Sequence, residues 1–229
     1  MTDFNTLREN MVNSQLLPNA ITSKQLLAAF RELKRENFVP KRQQAHAYID
    51  RDLKIDIDTS NGQDRFILDP MVQAKLVQAV NITSSDIVLD IACATGYSTA
   101  LIAQIANMVV GIESDEKVAN LASQYIEQQE IDNAVIIQDP LANGYKKEAP
   151  YDVIIINGLV ETVSQELFDQ LADNGRLIAV EISDKSSINA PLGHAYLYHK
   201  TGNQIAKRMV FDASPSRLTE FDKPKSFQL

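Results

Sequence analysis

Cysteine is nearly absent: Cys93 stands alone among 229 residues, so no disulfide can close within the chain. Histidine is almost as scarce. His46, His194 and His199 lie far apart, and with one thiol they give no metal-ligand spacing, so no metal is expected. No apolar run approaches the roughly 20 residues of a membrane span. The first residues, Met1 to Arg8, have neither the basic start nor the apolar stretch of a secretory signal. These absences predict a soluble, cytoplasmic protein with no membrane partner. Positive charge is also in short supply, with 22 Lys and Arg against 30 Asp and Glu and a net charge of -8. That argues against nucleic acid, whose phosphates require a surplus of cations on one face. The basic pairs present, Lys34 with Arg35 and Lys41 with Arg42, are interspersed with acids and polar residues.

What the chain has is apolar residues in organised runs. Hydrophobic residues make up 45%, enough for one substantial core. The organising stretch is Ile87 to Tyr97. Aliphatic residues surround Asp90, small residues close on Gly96, and helix-compatible Ser98 to Ile105 follow, so the segment reads strand, tight turn, helix. A second strand, Met108 to Glu113, ends 23 residues after Asp90, about where nucleotide-binding βαβ units place a carboxylate for the ribose hydroxyls. An acid two residues before the first small position would repel a pyrophosphate. S-adenosylmethionine carries an amino group and a sulfonium and no phosphate, so this turn suits it better than NAD.

From the start, Leu7 to Gln15 and Ser23 to Leu33 have helical spacing with Pro18 and Asn19 as a breaker, and Arg42 to Tyr48 adds a turn or two. Arg51 to Asp58 alternates like a half-exposed strand, and residues 59–64 form a polar turn cluster. Asp69 and Pro70 open a helix as N-cap and first residue. Beyond Glu113 the spacing predicts a helix over Lys117 to Gln129 and strands at Ala134 to Gln138 and Tyr151 to Ile156. A helix over Val163 to Ala172 and a strand from Arg176 to Glu181 follow. This alternation argues a parallel sheet covered on both faces. Ala195 to Lys200 and Gln204 to Phe211, around Thr201, Gly202 and Asn203, read as an antiparallel hairpin. The expected fold is an α/β, Rossmann-like doubly wound sheet of the class I S-adenosylmethionine-dependent methyltransferase type, with a C-terminal hairpin. Residues 1–80 would be a helical extension and acceptor-side segment, and 81–229 the core.

The chain resembles protein-L-isoaspartate O-methyltransferases over nearly its whole length. The resemblance rests on Arg8, Met11 and Val12, Gln15 and Leu16, Arg35 and Glu36, Phe38 to Pro40, and Ala47, Tyr48 and Asp50. It continues through Asp90 and Ile91, Gly96 and Tyr97, Glu113, Asp139 with Gly144, Tyr151 and Asp152, Gln170 and Leu171, and Gly175 to Leu177. The resemblance implies S-adenosylmethionine as cofactor and, as partner, the α-carboxylate of an isoaspartyl residue in a damaged protein or peptide. Glu113 would bind ribose, Asp139 with Pro140 the adenine side, and Asp90, Ala92, Ala94, Gly96 and Tyr97 the methionine end.

The chain departs from the family pattern in two places. The serine that helps bind the acceptor carboxylate is replaced by Leu68, beside a new acid, Asp69, which is expected to turn away and cap the helix. Losing a hydrogen bond to a charged group costs about 1.5 to 3 kcal/mol. The first two glycines of the turn are Ala92 and Ala94, each costing on the order of 1 kcal/mol if positive φ is required. Two functional readings follow: an isoaspartyl-type methyltransferase, or a catalytically silent or acceptor-switched S-adenosylmethionine-binding regulatory protein that keeps the fold. Neither reading fixes an oligomeric state. His46 is expected to be a surface or packing residue and Cys93 a buried, inert thiol.

Overall fold

The computed structural model describes residues 3–60, 62–183 and 192–223. Asn61, in the polar turn cluster expected from the sequence, lies outside them. The centre is a seven-stranded sheet in the order β5-β4-β3-β6-β7-β8-β9. Its members are β3 (Ile87–Ile91), β4 (Met108–Glu113), β5 (Ala134–Gln138), β6 (Tyr151–Val160), β7 (Leu171–Ile182), β8 (Gly193–Thr201) and β9 (Gln204–Ala213). The first five run parallel, and β8 and β9 close the sheet antiparallel, as the sequence pattern predicts. Central strands β3, β4 and β6 are aliphatic on both faces, because helices cover each side.

Among the described residues the α-helices are α1 (Phe4–Met11), α2 (Lys24–Glu32), α3 (Pro70–Ala79), α4 (Tyr97–Ala103), α5 (Glu116–Gln128) and α6 (Gln165–Asp169). Caps set their starts. Asp3, Ser23, Asp69 and Asp115 each accept hydrogen bonds from backbone N–H groups of the first turn. The extension is not a separate layer, since one apolar cluster joins Met11, Phe30 and Phe38 to Tyr97, Val109 and Ile155. Arg35, fully buried, donates from Nε to the Ala47 carbonyl and from Nη2 to the Leu68 carbonyl, both at 2.6 Å. Its guanidinium lies 4.5 Å from the centre of the Tyr97 ring. One side chain thus holds the extension, the acceptor-side segment and α4 together.

Three elements differ from expectation. The first helix ends at Met11 and passes through a wider π turn at Val12–Leu16 and a 3-10 turn at Leu17–Asn19, where Ala20 turns left-handed at φ 61°. The alternating stretch from Arg51 keeps only two paired residues: β1 (Leu53–Lys54) meets β2 (Phe66–Ile67), and the chain beyond finds no longer ladder. The helix expected over Val163 to Ala172 shrinks to α6. Leu171 already pairs with Tyr151, and the Gln170 amide is spent on the carbonyls of Asn143 and Glu166 and on the Tyr145 N–H.

Candidate active site

In a doubly wound sheet the ligand crevice lies beyond the carboxyl ends of the strands, where the strand order reverses. Here the reversal falls at β3, flanked by β4 and β6. Asp90, next to last in β3, is fully buried. Its Oδ2 accepts from Ser98 Oγ at 2.6 Å and Thr99 Oγ1 at 2.7 Å, and its Oδ1 accepts from Asn157 Nδ2 at 2.6 Å. Thr99 reaches it because β4 carries glycine opposite: a Cβ on Gly111 would stand 2.6 Å from Thr99 Oγ1. Burial pushes the Asp90 carboxyl above its ordinary value, and the three hydrogen bonds only partly offset it. Asp90 is therefore a tie beneath the turn, with its acceptors already taken.

The turn is left-handed three times, at Ala92 (φ 58°), Ala94 (φ 48°) and Gly96 (φ 85°). Both alanines sit where glycine is the unstrained residue, so each carries strain of order 1 to 2 kcal/mol. Gly96 needs its φ to start α4. Cys93 is buried, its N–H bonded to the Ile112 carbonyl at 3.1 Å, and burial raises its thiol pKa well above the ordinary value, leaving it protonated and inert. Thr95 Oγ1 donates to the Phe38 carbonyl at 2.6 Å and pins the turn to the extension. The Tyr97 side chain turns away from the crevice into the apolar core, 5.7 Å from the Phe38 ring centre.

Glu113 ends β4, as the ribose reading requires, but its carboxylate is wholly buried. Its Oε1 accepts from Arg65 Nε at 2.7 Å, from Ser114 N at 2.8 Å and from Asp115 N at 3.2 Å. Its Oε2 has no hydrogen-bond partner among the described residues. Burial raises the Glu113 carboxyl pKa, opposed by Arg65 and by the backbone N–H groups. Arg65 is itself buried and extends Nη2 to Ser114 Oγ at 2.7 Å and to Glu220 Oε1 at 2.8 Å.

Asp139 follows β5, its N–H on the Glu113 carbonyl at 3.2 Å. It lines a cavity of about 440 Å³ with Asn143, Tyr145, Lys146, Lys147 and Glu166, and Pro140 is exposed beside it. On the acceptor side Leu68 is buried. Asp69 Oδ1 accepts from Met71 N at 2.7 Å and Val72 N at 3.1 Å, so it caps α3 as anticipated. Asp52 Oδ1 accepts from Asp69 N at 2.8 Å, and its Oδ2 accepts from Ser216 N and Oγ at 2.7 and 2.8 Å. These acids border a hollow of about 420 Å³ that also contains Arg51, and Asp69 and Asp52 are committed to the backbone. His46 is exposed.

Sequence reasoning placed Asp90, Ala92, Ala94, Gly96, Glu113 and Asp139 at the carboxyl edge of the sheet, where the structure has them. It missed Arg65, Asn157, Gln73 and Glu220. Arg65 stands 48 positions from Glu113, and Asn157 stands 67 positions from Asp90, separations at which no local pattern carries a signal.

The sheet order, the strand-turn-helix at Asp90 and the acid ending β4 define a class I methyltransferase. The family model for protein-L-isoaspartate(D-aspartate) O-methyltransferase matches residues 6–195. The chain belongs to that family. It is 34% identical over 172 residues to the protein-L-isoaspartate O-methyltransferase of Methanoculleus marisnigri, covering 75% of this chain and 76% of that one. A solved protein-L-isoaspartate O-methyltransferase superposes with a TM-score of 0.79 at 23% identity, over 93% of this chain and 67% of the other. A Plasmodium falciparum protein of the beta-aspartate methyltransferase type, solved in complex with S-adenosyl-L-homocysteine, gives 0.72 at 20% identity, over 96% of this chain and all of that one. Among the described residues no helix is long and apolar enough to cross a membrane.

The residues present suit such a nucleoside in kind. An unpaired carboxylate oxygen on Glu113 is an acceptor for a diol, and a second acid, Asp139, borders the adjoining cavity.

Proposed function

We propose that this protein transfers the methyl group of S-adenosylmethionine to the α-carboxylate of L-isoaspartyl residues in proteins, a repair activity in the cytoplasm. The observation that carries the reading is Glu113, standing at the end of β4 beside the strand-order reversal with one buried acceptor unspent. The family match from residue 6 to residue 195 supports it.

S-adenosylmethionine, when bound, would supply an electrophilic sulfonium methyl group; a carboxylate oxygen, ionised at neutral pH, would form the new O–CH3 bond without a strong general base as the S–CH3 bond breaks and S-adenosylhomocysteine leaves as a neutral thioether. The chain supplies position. Glu113 would hold the ribose diol and Asp139 the adenine side, while Ala92 to Gly96 would bring backbone groups to the methionine end. Asp90, clamped by Ser98, Thr99 and Asn157, keeps that turn in one conformation. Holding two reactants collinear is worth several kcal/mol of barrier, and the buried turn excludes water. Leu68 offers the acceptor no hydroxyl, so the acceptor would be held by other groups along the Asp69 segment.

Calorimetric titration with S-adenosylhomocysteine and methyl-label transfer to an isoaspartyl peptide test the reading. Saturable binding with transfer is expected, abolished by Glu113→Ala. Binding without transfer would move the acceptor elsewhere and leave an S-adenosylmethionine-binding or acceptor-switched protein. Absence of binding both in the protein and in variants that open the crevice would end the reading.

A further inference from the structure

The C-terminal stretch 216–222 crosses the crevice. Its first part lies on β6: Leu159 donates its N–H to the Ser216 carbonyl at 2.9 Å, and Leu218 returns its N–H to the Leu159 carbonyl at 2.8 Å. The approach is so close that a Cβ on Gly158 would stand 2.6 Å from Leu218 Cγ. Two residues later Glu220 is on the far side of β3. Its Oε1 accepts from Ser114 Oγ at 2.9 Å, just past β4, and from Arg65 Nη2 at 2.8 Å. Leu218 and Phe221, on either side of Glu220, share an apolar cluster with Ile91 and Ala92 of the cofactor turn. Arg65 completes the closure. It comes from the loop before β2 and bridges the carboxylates of Glu113 and Glu220.

Resting on the S-adenosylmethionine reading above, we propose that residues 216–222 are a strap latched by Arg65, and that cofactor entry requires the latch to open. Glu113 is fully buried and Arg65 only 4% exposed, so no ribose reaches the free Oε2 while the strap is down. The strap is the part of this edge built to move. It has one isolated bridge to β6 and one three-residue turn, whereas β3 beneath it is paired with β4 over its whole length and with β6 from Val88 to Ile91. Segments with few backbone ties open at lower cost than the sheet that supports them. The latch therefore competes with the cofactor, and the fraction of unlatched molecules sets the apparent affinity.

Stopped-flow and calorimetric titration of the full chain with S-adenosylhomocysteine distinguish the outcomes, comparing wild type with Glu220→Ala and Arg65→Gln. Glu220 is at the rim and its removal leaves Glu113 paired, so that variant decides the matter even if Arg65→Gln fails to fold. We expect association at least about ten-fold faster and a correspondingly lower Kd in Glu220→Ala, which removes the hydrogen bonds from Ser114 and Arg65 to one charged group. Ligand binding by wild type with equal or weaker binding by Glu220→Ala overturns the strap and leaves the cofactor reading standing. No binding by folded wild type and folded variants alike overturns both. Binding by the variant alone supports both.

Discussion

The Nδ2 of Asn157 lies 2.6 Å from Oδ1 of Asp90 and 2.8 Å from the carbonyl of Ile91, which joins β6 to the end of β3. The same amide accepts from Gln73 Nε2 at 3.2 Å, so the tie continues into α3, the helix that follows the acceptor-side segment. All three side chains are buried, and a buried polar chain of this kind fixes one arrangement because breaking any link strands the rest.

Asn157→Ala should therefore lower the unfolding free energy by about 2 to 3 kcal/mol, since it leaves Asp90 Oδ1 and Gln73 buried without a donor or acceptor. Chemical denaturation checks this, and an unchanged midpoint would remove the tie from the account.

The buried Asp90 gives a pH signature. Its carboxyl pKa lies above the ordinary 3.8 in the folded protein, so the folded state holds that proton more tightly than the unfolded chain does. Its contribution to stability is full below pH 3.8 and declines as pH rises through the folded value. Asp90→Asn cannot titrate. The stability of wild type relative to this variant should fall as pH rises across that window, and a flat difference would contradict the assignment.

Ala94→Gly should stabilise the protein. Releasing a left-handed alanine returns about 1 to 2 kcal/mol, against roughly 0.4 to 1 kcal/mol of extra freedom given to the unfolded chain. A net gain near 0.5 to 1 kcal/mol is expected by thermal unfolding, and a loss would mean that the methyl contributes more by packing than its φ costs.

Leu68→Ser should act in opposite directions on stability and on rate. Emptying a buried leucine site costs about 3 kcal/mol. On the isoaspartyl reading, the restored hydroxyl should raise methyl transfer by about ten-fold or more when assayed well below the melting temperature. A folded variant with an unchanged rate would place Leu68 away from the acceptor.

Much of the fold was legible because it rests on short-range periodicity. Ile87 to Glu113 and Ala134 to Gln138 announce themselves by aliphatic runs of strand length, and Asp69 with Pro70 marks a helix start through local cap chemistry. The errors fall where partners outside the segment decide. Leu171 joins β7 because Tyr151 needs a neighbour, and the alternating stretch after Lys54 has no strand beside it. In the site, strand ends and turns fixed where Asp90 and Glu113 would stand. What each carboxylate faces came from residues on other elements.

By itself, the sequence determined the family, the order of strands and helices, and the left-handed demand that Ala92 and Ala94 must meet, because spacing, caps and turn chemistry act over a few residues. Only the tertiary structure decided that Asp90 is spent on Ser98, Thr99 and Asn157, and that Arg65 and Glu220 close over Glu113. Those contacts join positions up to 155 residues apart, and ion pairs across such distances form only after the sheet has set its register.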